Sequence, residues 1–300
     1  MRILVSGGSG FIGTAVCERL RRGNHEVVTL SRRAGPGSIR WQPEVGVLDP
    51  AAVEGFDGVV HLAGENIGAA RWSAARRRAI LDSRRHGTRL LAATLAKATR
   101  RPAVLVSASG VNYYGDRGDE TLTEDSPTGS GFLPEVCRQW EAATEPASDA
   151  DIRVCRLRIG MVLAPDGGAL ARLLLPFKLG LGGPLGSGQQ WMSWITRDDL
   201  VAVIERVLLD HALVGPVNAV SPGAVTNREF TTVLGRVLRR PAVLPAPAFA
   251  LRLALGAMAE ELLLASVRVA PTRLAAAGFP FADGRLEPAL RRLLGRPATA

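Results

Sequence analysis

The stretch Val5–Gly13, which reads VSGGSGFIG, decides the fold of this chain. A short apolar run precedes it, and a segment of helical periodicity that ends at Arg22 follows it. Gly7, Gly10 and Gly13 lie three residues apart, where the chain must turn from a strand into a helix. In a dinucleotide-binding turn, such glycines allow the tight bend, the close approach of a pyrophosphate and the packing of the helix on the strand. The positive end of the helix then faces the phosphates. We therefore predict a nucleotide-binding turn rather than a plain tight turn.

Strands and helices alternate through the first half of the chain. We expect strands at Arg2–Ser6, His25–Leu30, Ile39–Trp41, Gly58–Leu62, Ala103–Ser107 and Ile152–Leu157. The main helical segments are Phe11–Arg22, Ser73–Lys97 and Glu135–Ser148. Alternation of this length implies parallel pairing with right-handed crossovers. The pattern predicts an α/β fold with a Rossmann-type doubly wound parallel sheet.

The composition of the chain changes near residue 165. Beyond it, Gly-rich turns alternate with short apolar segments, and from Pro241 onward Ala, Leu and Pro dominate. Helical spacing recurs in Phe249–Val267 and in Leu286–Leu294, which predicts a smaller and mainly helical C-terminal substrate region. The predicted parts are a nucleotide-binding domain over residues 1–165, a substrate or lid region over 166–300, and within it a helical tail over about 245–297.

The formal net charge of +9 raises the question of a nucleic-acid partner. Only two of the 37 basic residues are lysines, Lys97 and Lys178, and the arginines are scattered along the chain. Few aromatic residues lie between the arginines, whereas a groove for single strands needs aromatic rings on which bases stack. We predict that nucleic acid is not a partner.

No segment predicts a membrane anchor or a metal site. The first residues form a strand and lack the charged and apolar regions of a secretory signal. The most apolar late stretch, Val243–Ala265, is interrupted by prolines and charged residues. Cys17, Cys137 and Cys155 are odd in number and lack metal-ligand spacing, as expected of reduced thiols in a cytosol. We expect a cytoplasmic protein without bound metal and without membrane association.

The second strand ends in Ser31, Arg32 and Arg33, where a dinucleotide fold that grips the adenosine ribose diol has an acidic residue. This chain has two guanidinium groups there instead. Arginine binds a 2′-phosphate in a bidentate geometry. Because of this position, we predict NADP(H) as the cofactor rather than NAD(H); a solvated surface pair is the alternative.

Other residues at strand ends complete the predicted cofactor site. The sequence His61–Gly64 (HLAG) ends a buried strand, and its small residues let the backbone approach a ribose. His61 itself is expected to be a packed residue rather than a base. The predicted cofactor-binding residues are Gly7, Gly10, Phe11, Ile12, Gly13, Ser31, Arg32, Arg33, Leu62, Ala63, Gly64, Ser107 and Arg158.

Hydroxyl side chains follow the fifth strand in the stretch Ser107–Gly115 (SASGVNYYG). A hydroxyl beside a nicotinamide can hydrogen-bond a substrate carbonyl or alcohol. We take Ser109, Tyr113 and Tyr114 as candidate catalytic residues, and a turn with two packed tyrosines is the alternative.

Taken together, these motifs resemble the extended short-chain dehydrogenase/reductases. The likeness rests on the Gly7–Gly13 loop, HLAG, SASGVNYYG, and Trp194-Ile195 with Asp198-Asp199. More narrowly, the chain resembles an atypical NAD(P)-dependent epimerase/dehydratase-like branch, whose members are often labelled sugar-nucleotide epimerases or cell-division-inhibitor-like proteins. The motifs of this branch are Gly64–Ile67, Arg71-Trp72, Ser83-Arg84, Cys137–Glu141 and Gly182–Gln189, with a C-terminal domain of unknown function matched by Leu255–Glu260 and Ala277–Phe281.

The chain departs from this resemblance at the acid/base group. Short-chain dehydrogenases use a tyrosine with a lysine four residues later, and the lysine lowers the pKa of the phenol. The only tyrosines here are Tyr113 and Tyr114, and neither has a lysine at that distance. A replacement is expected either from these tyrosines with Ser109, helped by a nearby arginine, or from Glu135 or Cys137 on the next helix.

The resemblance and this departure leave two interpretations of function. The first is an NADP(H)-binding, epimerase-like oxidoreductase that acts on a small carbonyl, alcohol or sugar-nucleotide-like substrate. The second is a catalytically weak or inactive NADPH-binding sensor. Asn66 and Gln189 are the predicted substrate-binding residues, and the Gly-rich stretch before Gln189 is either a loop over the substrate or a surface turn. The fold also allows a homodimer through its long helices.

Two further motifs have open interpretations. Ser83 and Arg84 either face the cofactor or lie on a solvated helix face. Asp198 and Asp199, with Trp194, are expected to cap a helix and pack rather than catalyse.

Overall fold

The structure is a computed structural model that describes residues 1–33 and 35–297. The chain divides into two compact units. Unit 1 comprises residues 1–109, 135–157 and 201–217, and unit 2 comprises residues 110–134, 158–200 and 218–300. The division that we predict at residue 165 stays a prediction.

The strands and helices of the described residues are numbered here in chain order. The strands are β1 (Arg2–Ser6), β2 (Glu26–Ser31), β3 (Ser38–Gln42), β4 (Val47–Leu48), β5 (Gly58–His61), β6 (Val104–Gly110), β7 (Thr121–Leu122), β8 (Arg153–Ile159), β9 (Met161–Ala164), β10 (Trp191–Met192), β11 (Trp194–Thr196), β12 (Gly215–Ala219), β13 (Val225–Thr226) and β14 (Arg268–Val269). The helices are α1 (Phe11–Arg22), α2 (Ala74–Ala96), α3 (Phe132–Ala142), α4 (Glu145–Ser148), α5 (Gly168–Lys178), α6 (Arg197–Leu209), α7 (Asn227–Leu238), α8 (Ala248–Leu255), α9 (Ala257–Ala259), α10 (Thr272–Ala276) and α11 (Leu286–Leu293). Short 3₁₀ turns lie at Pro43–Val45, Pro50–Val53 and Val111–Tyr114, and a π-helical turn lies at Glu260–Leu264.

Eight of the described strands form one sheet, in the order β12-β8-β6-β5-β1-β2-β3-β4. The chain winds outward from β1 in both directions. The pairs β1–β2, β1–β5, β5–β6 and β2–β3 are parallel, and β4 is an antiparallel edge strand. In this register Ser6 lies opposite His61, and His61 lies opposite Ser107. This confirms the predicted doubly wound α/β fold. It also brings the carboxyl ends of these strands to one edge, which we call the carboxyl edge.

The core of unit 1 forms because its parallel strands are covered on both faces. Ile3, Leu4 and Val5 of β1 are fully buried, as are Val59 and Val60 of β5. Such continuous apolar runs are typical of parallel strands, and their burial fixes the position of the turn that follows β1.

Unit 2 has its own core, between short strand pairs and helices. The pairs are β9–β11 and β7–β14, which are parallel, and β10–β13, which is antiparallel. Trp194, Phe230 and Leu234 are fully buried in an apolar cluster to which α5, α7 and α11 contribute. The C-terminal region is mainly helical, as predicted.

Two predicted helices are interrupted in the structure. The segment Phe249–Val267 is not one helix, because Gly256 has a φ of +62° and ends α8. Such a left-handed conformation favours glycine and stops a right-handed helix. The predicted helix Glu135–Ser148 begins earlier, at Phe132, and breaks after Ala142, and α4 then starts with a proline near its first position.

Candidate functional site

The turn between β1 and α1 is built on contacts that only glycine allows. Gly7 has a φ of +70°, and a Cβ atom there would lie 2.9 Å from the backbone nitrogen of Ala63. A Cβ atom at Gly13 would lie 2.1 Å from the carbonyl oxygen of Gly7. The turn closes with the Gly10 amide donating to that same oxygen at 3.0 Å. The glycine spacing therefore sets how closely α1 packs on the end of β1.

The N-terminus of α1 is suited to an anion. Gly10, the N-cap residue, is exposed and supplies no side-chain cap, and the first turn of the helix contains no acidic residue. The first amides of a helix have no intrahelical acceptor, and the helix dipole favours negative charge there. Phosphate groups are a common occupant of such a turn.

A buried hydrogen-bond chain fixes the neighbouring strand end. His61 is fully buried, and its Nδ1 and Nε2 atoms lie 2.6 Å from Ser6 Oγ and 2.8 Å from Thr88 Oγ1. Ser6 Oγ in turn accepts from the amides of Leu62 and Ala63. Burial lowers the pKa of His61 to about 4, so the ring is neutral at pH 7. The structure thus places His61 as a packed residue that holds the 62–63 backbone against the turn.

The loop after β5 is held by α2. The Arg84 guanidinium donates to the carbonyl of Glu65 at 3.0 Å, and Ser83 Oγ accepts from the Glu65 amide at 3.1 Å. Arg76 pairs with the Glu65 carboxylate at 2.7 Å. Asn66 is exposed, and its Oδ1 accepts from the Gly68 amide at 2.9 Å. The side-chain oxygen of Asn66 thus serves a local turn. A substrate contact for Asn66 stays a prediction.

Arg84 does not lie on a solvated helix face. Its guanidinium packs 4.7 Å from the centre of the Trp140 ring and would lie 3.4 Å from a Cβ atom at Gly64. Burial lowers the pKa of Arg84, and the nearby Cys137 and Glu65 oppose that shift. Gly64, the last residue of HLAG, therefore leaves room for Arg84, which extends from α2 and packs on Trp140 of α3 inside unit 1.

Ser109 lies near the end of β6 and is almost completely buried. Its hydroxyl donates to the carboxylate of Glu141 on α3, with 2.8 Å between Oγ and Oε1. Sequence reasoning did not single out Glu141 as an acid/base candidate, although it lies four residues after Cys137. Ser107 Oγ contacts only the carbonyl of Ala108, at 3.4 Å, among the contacts described for it.

The other helix candidates differ from Glu141. Glu135 lies on the outer side of α3, where its carboxylate is paired with Arg138 and Gln139, and these partners lower its pKa. Cys137 is buried. Glu135 is therefore bound in a surface ion pair rather than placed beside Ser109.

Tyr114 is a buried, hydrogen-bonded residue of unit 2, and its catalytic role stays a prediction. It is fully buried, donates to Asn218 Oδ1 at 2.7 Å and accepts from Arg158 at 2.9 Å. Burial raises the pKa of its phenol, although Arg158 opposes the shift. The expectation that a nearby arginine would depress this phenol is wrong for Tyr114, because desolvation of the phenolate outweighs the arginine.

Arg158 is also buried in unit 2, with its guanidinium 3.5 Å from the centre of the Tyr113 ring. It donates to the carbonyl of Glu124 at 3.2 Å as well as to Tyr114. These contacts orient both tyrosine rings. A cofactor contact for Arg158 and a catalytic role for Tyr113 stay predictions.

The Gly-rich stretch of unit 2 is tied down by backbone hydrogen bonds. Gly186 and Pro184 exchange bonds with Ala246, and Gln190 is buried and donates to the carbonyls of Leu185 and Leu263. Gln189 is exposed. This geometry favours the surface-turn interpretation of the stretch.

The aspartates at the start of α6 do not supply its cap. Thr196 Oγ1 accepts from the Asp199 amide at 3.3 Å, so the threonine is the capping side chain. The Asp199 carboxylate instead accepts from the amides of Ala282 and Asp283. Trp194 is fully buried and donates to a carbonyl. The expectation that Asp198 or Asp199 caps the helix is therefore wrong, whereas Asp199 and Trp194 are packed as expected. That they do not catalyse stays a prediction.

Between residues 1–33 and 35–297, no cluster of three or more His, Cys, Asp or Glu side chains is placed to hold a metal ion. Within the same residues, no helix is both long and apolar enough to span a membrane.

The fold and the turn define the chain as an α/β protein of the dinucleotide-binding class. The model of the NAD dependent epimerase/dehydratase family matches residues 3–219, and the chain therefore belongs to this family. A second model, of a domain of unknown function (DUF1731), matches residues 246–293. Both matches confirm the resemblance drawn from the motifs.

Individual relatives cover almost the whole chain. An epimerase family protein of Mycobacterium tuberculosis is 42% identical over 297 residues, which are 98% of each chain. The crystal structure of the human epimerase family protein SDR39U1 with NADPH is 38% identical, has a TM-score of 0.91, and is matched over 98% of this chain and 99% of that one. A nucleoside-diphosphate sugar epimerase of Corynebacterium glutamicum is 37% identical with a TM-score of 0.83, over 98% of this chain and 58% of that one.

Proposed function

We propose that the chain binds NADP(H) at the carboxyl edge of unit 1, with the pyrophosphate at the N-terminus of α1. The observation that carries this proposal is the β1–α1 turn, where Gly7 and Gly13 hold α1 against the strand end and the exposed Gly10 leaves the helix N-terminus open. The family description and the human relative crystallised with NADPH support this cofactor. The other residues that we assign to the site are Phe11, Ile12, Ser31, Leu62, Ala63, Gly64 and Ser107.

The preference for NADP(H) rests on Arg32 and Arg33. Both are exposed directly after β2 ends, and within the described residues neither guanidinium has an ion-pair partner. Two unpaired guanidinium groups at the end of β2 suit a 2′-phosphate, which carries charge that an adenosine ribose lacks. The fit therefore favours NADPH over NADH.

Fluorescence titration with NADPH and NADH tests this preference. The double variant Arg32→Ala/Arg33→Ala should lose tenfold or more of its NADPH affinity, about 1.4 kcal/mol or more, and little of its NADH affinity. The control Arg21→Ala/Arg22→Ala removes the same charge from the far end of α1, where both residues are exposed. Equal affinities of the wild type for NADPH and NADH, or equal losses in the two double variants, would contradict the proposal.

We further propose an epimerase-like oxidoreductase reaction on a small alcohol, carbonyl or sugar-nucleotide-like substrate. NADP⁺ accepts a hydride and NADPH donates one when bound. The support from this chain is Ser109, whose buried hydroxyl donates to the Glu141 carboxylate. Ser109 lies at the same edge of unit 1 as the β1–α1 turn. The relative named as a nucleoside-diphosphate sugar epimerase supports a substrate of that class. Asn66 and Gln189 remain our proposed substrate residues, and residues 166–300, which include Gln189, remain our proposed substrate region.

A sensor without turnover is the second candidate. The missing tyrosine–lysine pair and the buried, hydrogen-bonded Tyr114 favour it. Incubation of the protein with NADP⁺ or NADPH and a panel of alcohols, carbonyls and sugar nucleotides distinguishes the two. Turnover that Ser109→Ala abolishes supports the enzyme. Tight NADPH binding without turnover, together with a partner recovered only when NADPH is present, supports the sensor.

A further inference from the structure

The hydrogen bond between Ser109 and Glu141 has a fixed direction with chemical consequences. The serine hydroxyl has one hydrogen, and in the structure it donates that hydrogen to the carboxylate at 2.8 Å. Both side chains are buried, with 4% of Ser109 and 9% of Glu141 exposed, so water competes little for this bond. An ionised carboxylate only accepts hydrogen bonds. Ser109 Oγ therefore presents lone pairs, and no hydrogen, to any group that approaches it.

This polarity selects the ligand group that Ser109 can bind. A carbonyl oxygen needs a donor and would face the lone pairs of Ser109 Oγ, leaving two buried acceptors without a proton between them. An alcohol hydroxyl has the proton that this contact requires. The structure thus favours an alcohol over a carbonyl as the group held by Ser109 while Glu141 is ionised.

Glu141 differs in charge from the residue that serves short-chain dehydrogenases. Glu141 and Cys137 are four residues apart and so lie on one face of the helix. In short-chain dehydrogenases the helix supplies a cation beside the proton-transferring hydroxyl, whereas here α3 supplies the Glu141 carboxylate beside the Ser109 hydroxyl. A lysine lowers the pKa of a phenol, whereas a carboxylate can take the proton itself.

We propose that Ser109 and Glu141 form the proton-accepting pair that replaces the missing tyrosine and lysine, and that the pair takes an alcohol as its substrate group. This inference rests on the proposed NADP(H)-dependent function. In the forward step the substrate O–H bond breaks and its proton moves to Ser109 Oγ. The proton of Ser109 moves to Glu141 Oε1. The electron pair left on the substrate oxygen forms the carbonyl as the hydride leaves the same carbon for NADP⁺, and the reverse step returns the proton. Ser109 is the catalytic residue and Glu141 the positioning residue that acts through it.

Carbon-13 NMR of the full chain labelled at the glutamate carboxyl tests the pair without turnover. The Glu141 signal is identified by its loss in Glu141→Gln and compared at pH 7 in the wild type and in Ser109→Ala. Because Ser109 donates to the Glu141 carboxylate, its removal should change the chemical shift of the Glu141 carboxyl carbon. The signal of the exposed Glu145, four residues further along the chain, is the control and should not change. An unchanged Glu141 signal in Ser109→Ala would overturn the inference.

Turnover of secondary alcohols by the NADP⁺-loaded protein tests the relay itself. Glu141→Gln keeps an oxygen that accepts from Ser109 but takes no proton, so kcat should fall 100-fold or more and the acidic limb of the pH profile should disappear. The Kd for NADPH should stay unchanged, Glu141→Asp should restore part of kcat, and Glu145→Gln should behave as the wild type. An unchanged pH profile in Glu141→Gln, or NADPH binding without oxidation of any alcohol, would overturn the relay. Loss of NADPH binding itself would refute the proposed function, and the NMR comparison would still decide on the pair.

Discussion

Replacement of Gly13 by alanine tests the geometry of the nucleotide turn directly. A Cβ atom at this position would lie 2.1 Å from the carbonyl oxygen of Gly7 and 2.8 Å from its carbonyl carbon and from the Cα atom of Gly8. Ordinary contact begins at 3.4 Å, so backbone must move by more than 1 Å. No flexible side chain is available to give way, because all three atoms belong to the backbone.

The cost of this overlap can be set against what alanine gains in a helix. Extra methyl groups in well-packed sites cost about 1–3 kcal/mol, and alanine gains about 1 kcal/mol over glycine in a helix interior. Because the overlap is with backbone, the cost lies in the upper half of that range, and we expect Gly13→Ala to lower the free energy of unfolding by about 1–2 kcal/mol. Because the shift also displaces the amides that would face the pyrophosphate, NADPH affinity should fall at least tenfold, about 1.4 kcal/mol.

Gly87→Ala is the matched control for this substitution. Gly87 lies inside α2, and a Cβ atom there would meet its nearest neighbour, the Trp41 ring, at 3.6 Å, which is ordinary contact. We expect this variant to gain about 0.5–1 kcal/mol of stability and to bind NADPH as the wild type does. Urea denaturation and fluorescence titration measure both quantities. If Gly13→Ala matched Gly87→Ala in both assays, the assigned role of the turn would be wrong.

Two further predictions concern buried polar groups. Burial lowers the pKa of His61 to about 4, whereas an unfolded histidine titrates near 6.5, so the unfolded state takes up the proton first as the pH falls. The free energy of unfolding should therefore fall by up to about 3 kcal/mol between pH 6.5 and 4, and urea denaturation across this range should show a smaller decrease for His61→Gln than for the wild type. Tyr114→Phe should cost about 1–3 kcal/mol, because Asn218 and Arg158 each lose a buried partner. Unchanged stability with lost turnover would instead indicate that Tyr114 is catalytic.

Local sequence patterns predicted the framework of the site because that framework is local. The turn Gly7–Gly13 lies within one strand–turn–helix, where Gly10 and Gly13 contact backbone only a few residues away; the contact of Gly7 with the backbone of Leu62 and Ala63 is the long-range exception. The place of HLAG at a strand end and the packed state of His61 likewise followed from an apolar run and its end. Helix boundaries were less predictable. The break of α8 at Gly256 depends on a left-handed residue that helical spacing alone does not reveal.

The acid/base chemistry was not predictable from the chain alone. The sequence shows by exhaustive search that no tyrosine–lysine pair exists, but it does not show which side chain meets Ser109. Glu135 and Glu141 occupy the same helix, and only the packing of α3 buries one beside Ser109 and leaves the other in a surface ion pair.

The sequence by itself determined the fold class, the nucleotide turn and the absence of the usual proton donor, since each depends on residue type at short spacing. The tertiary structure alone decided the partners of the buried polar groups. Ser109 meets Glu141 across 32 positions and Tyr114 meets Asn218 across 104. Such pairs form where the burial of apolar surface brings distant segments together, and each buried donor then needs an acceptor whose identity no local pattern encodes.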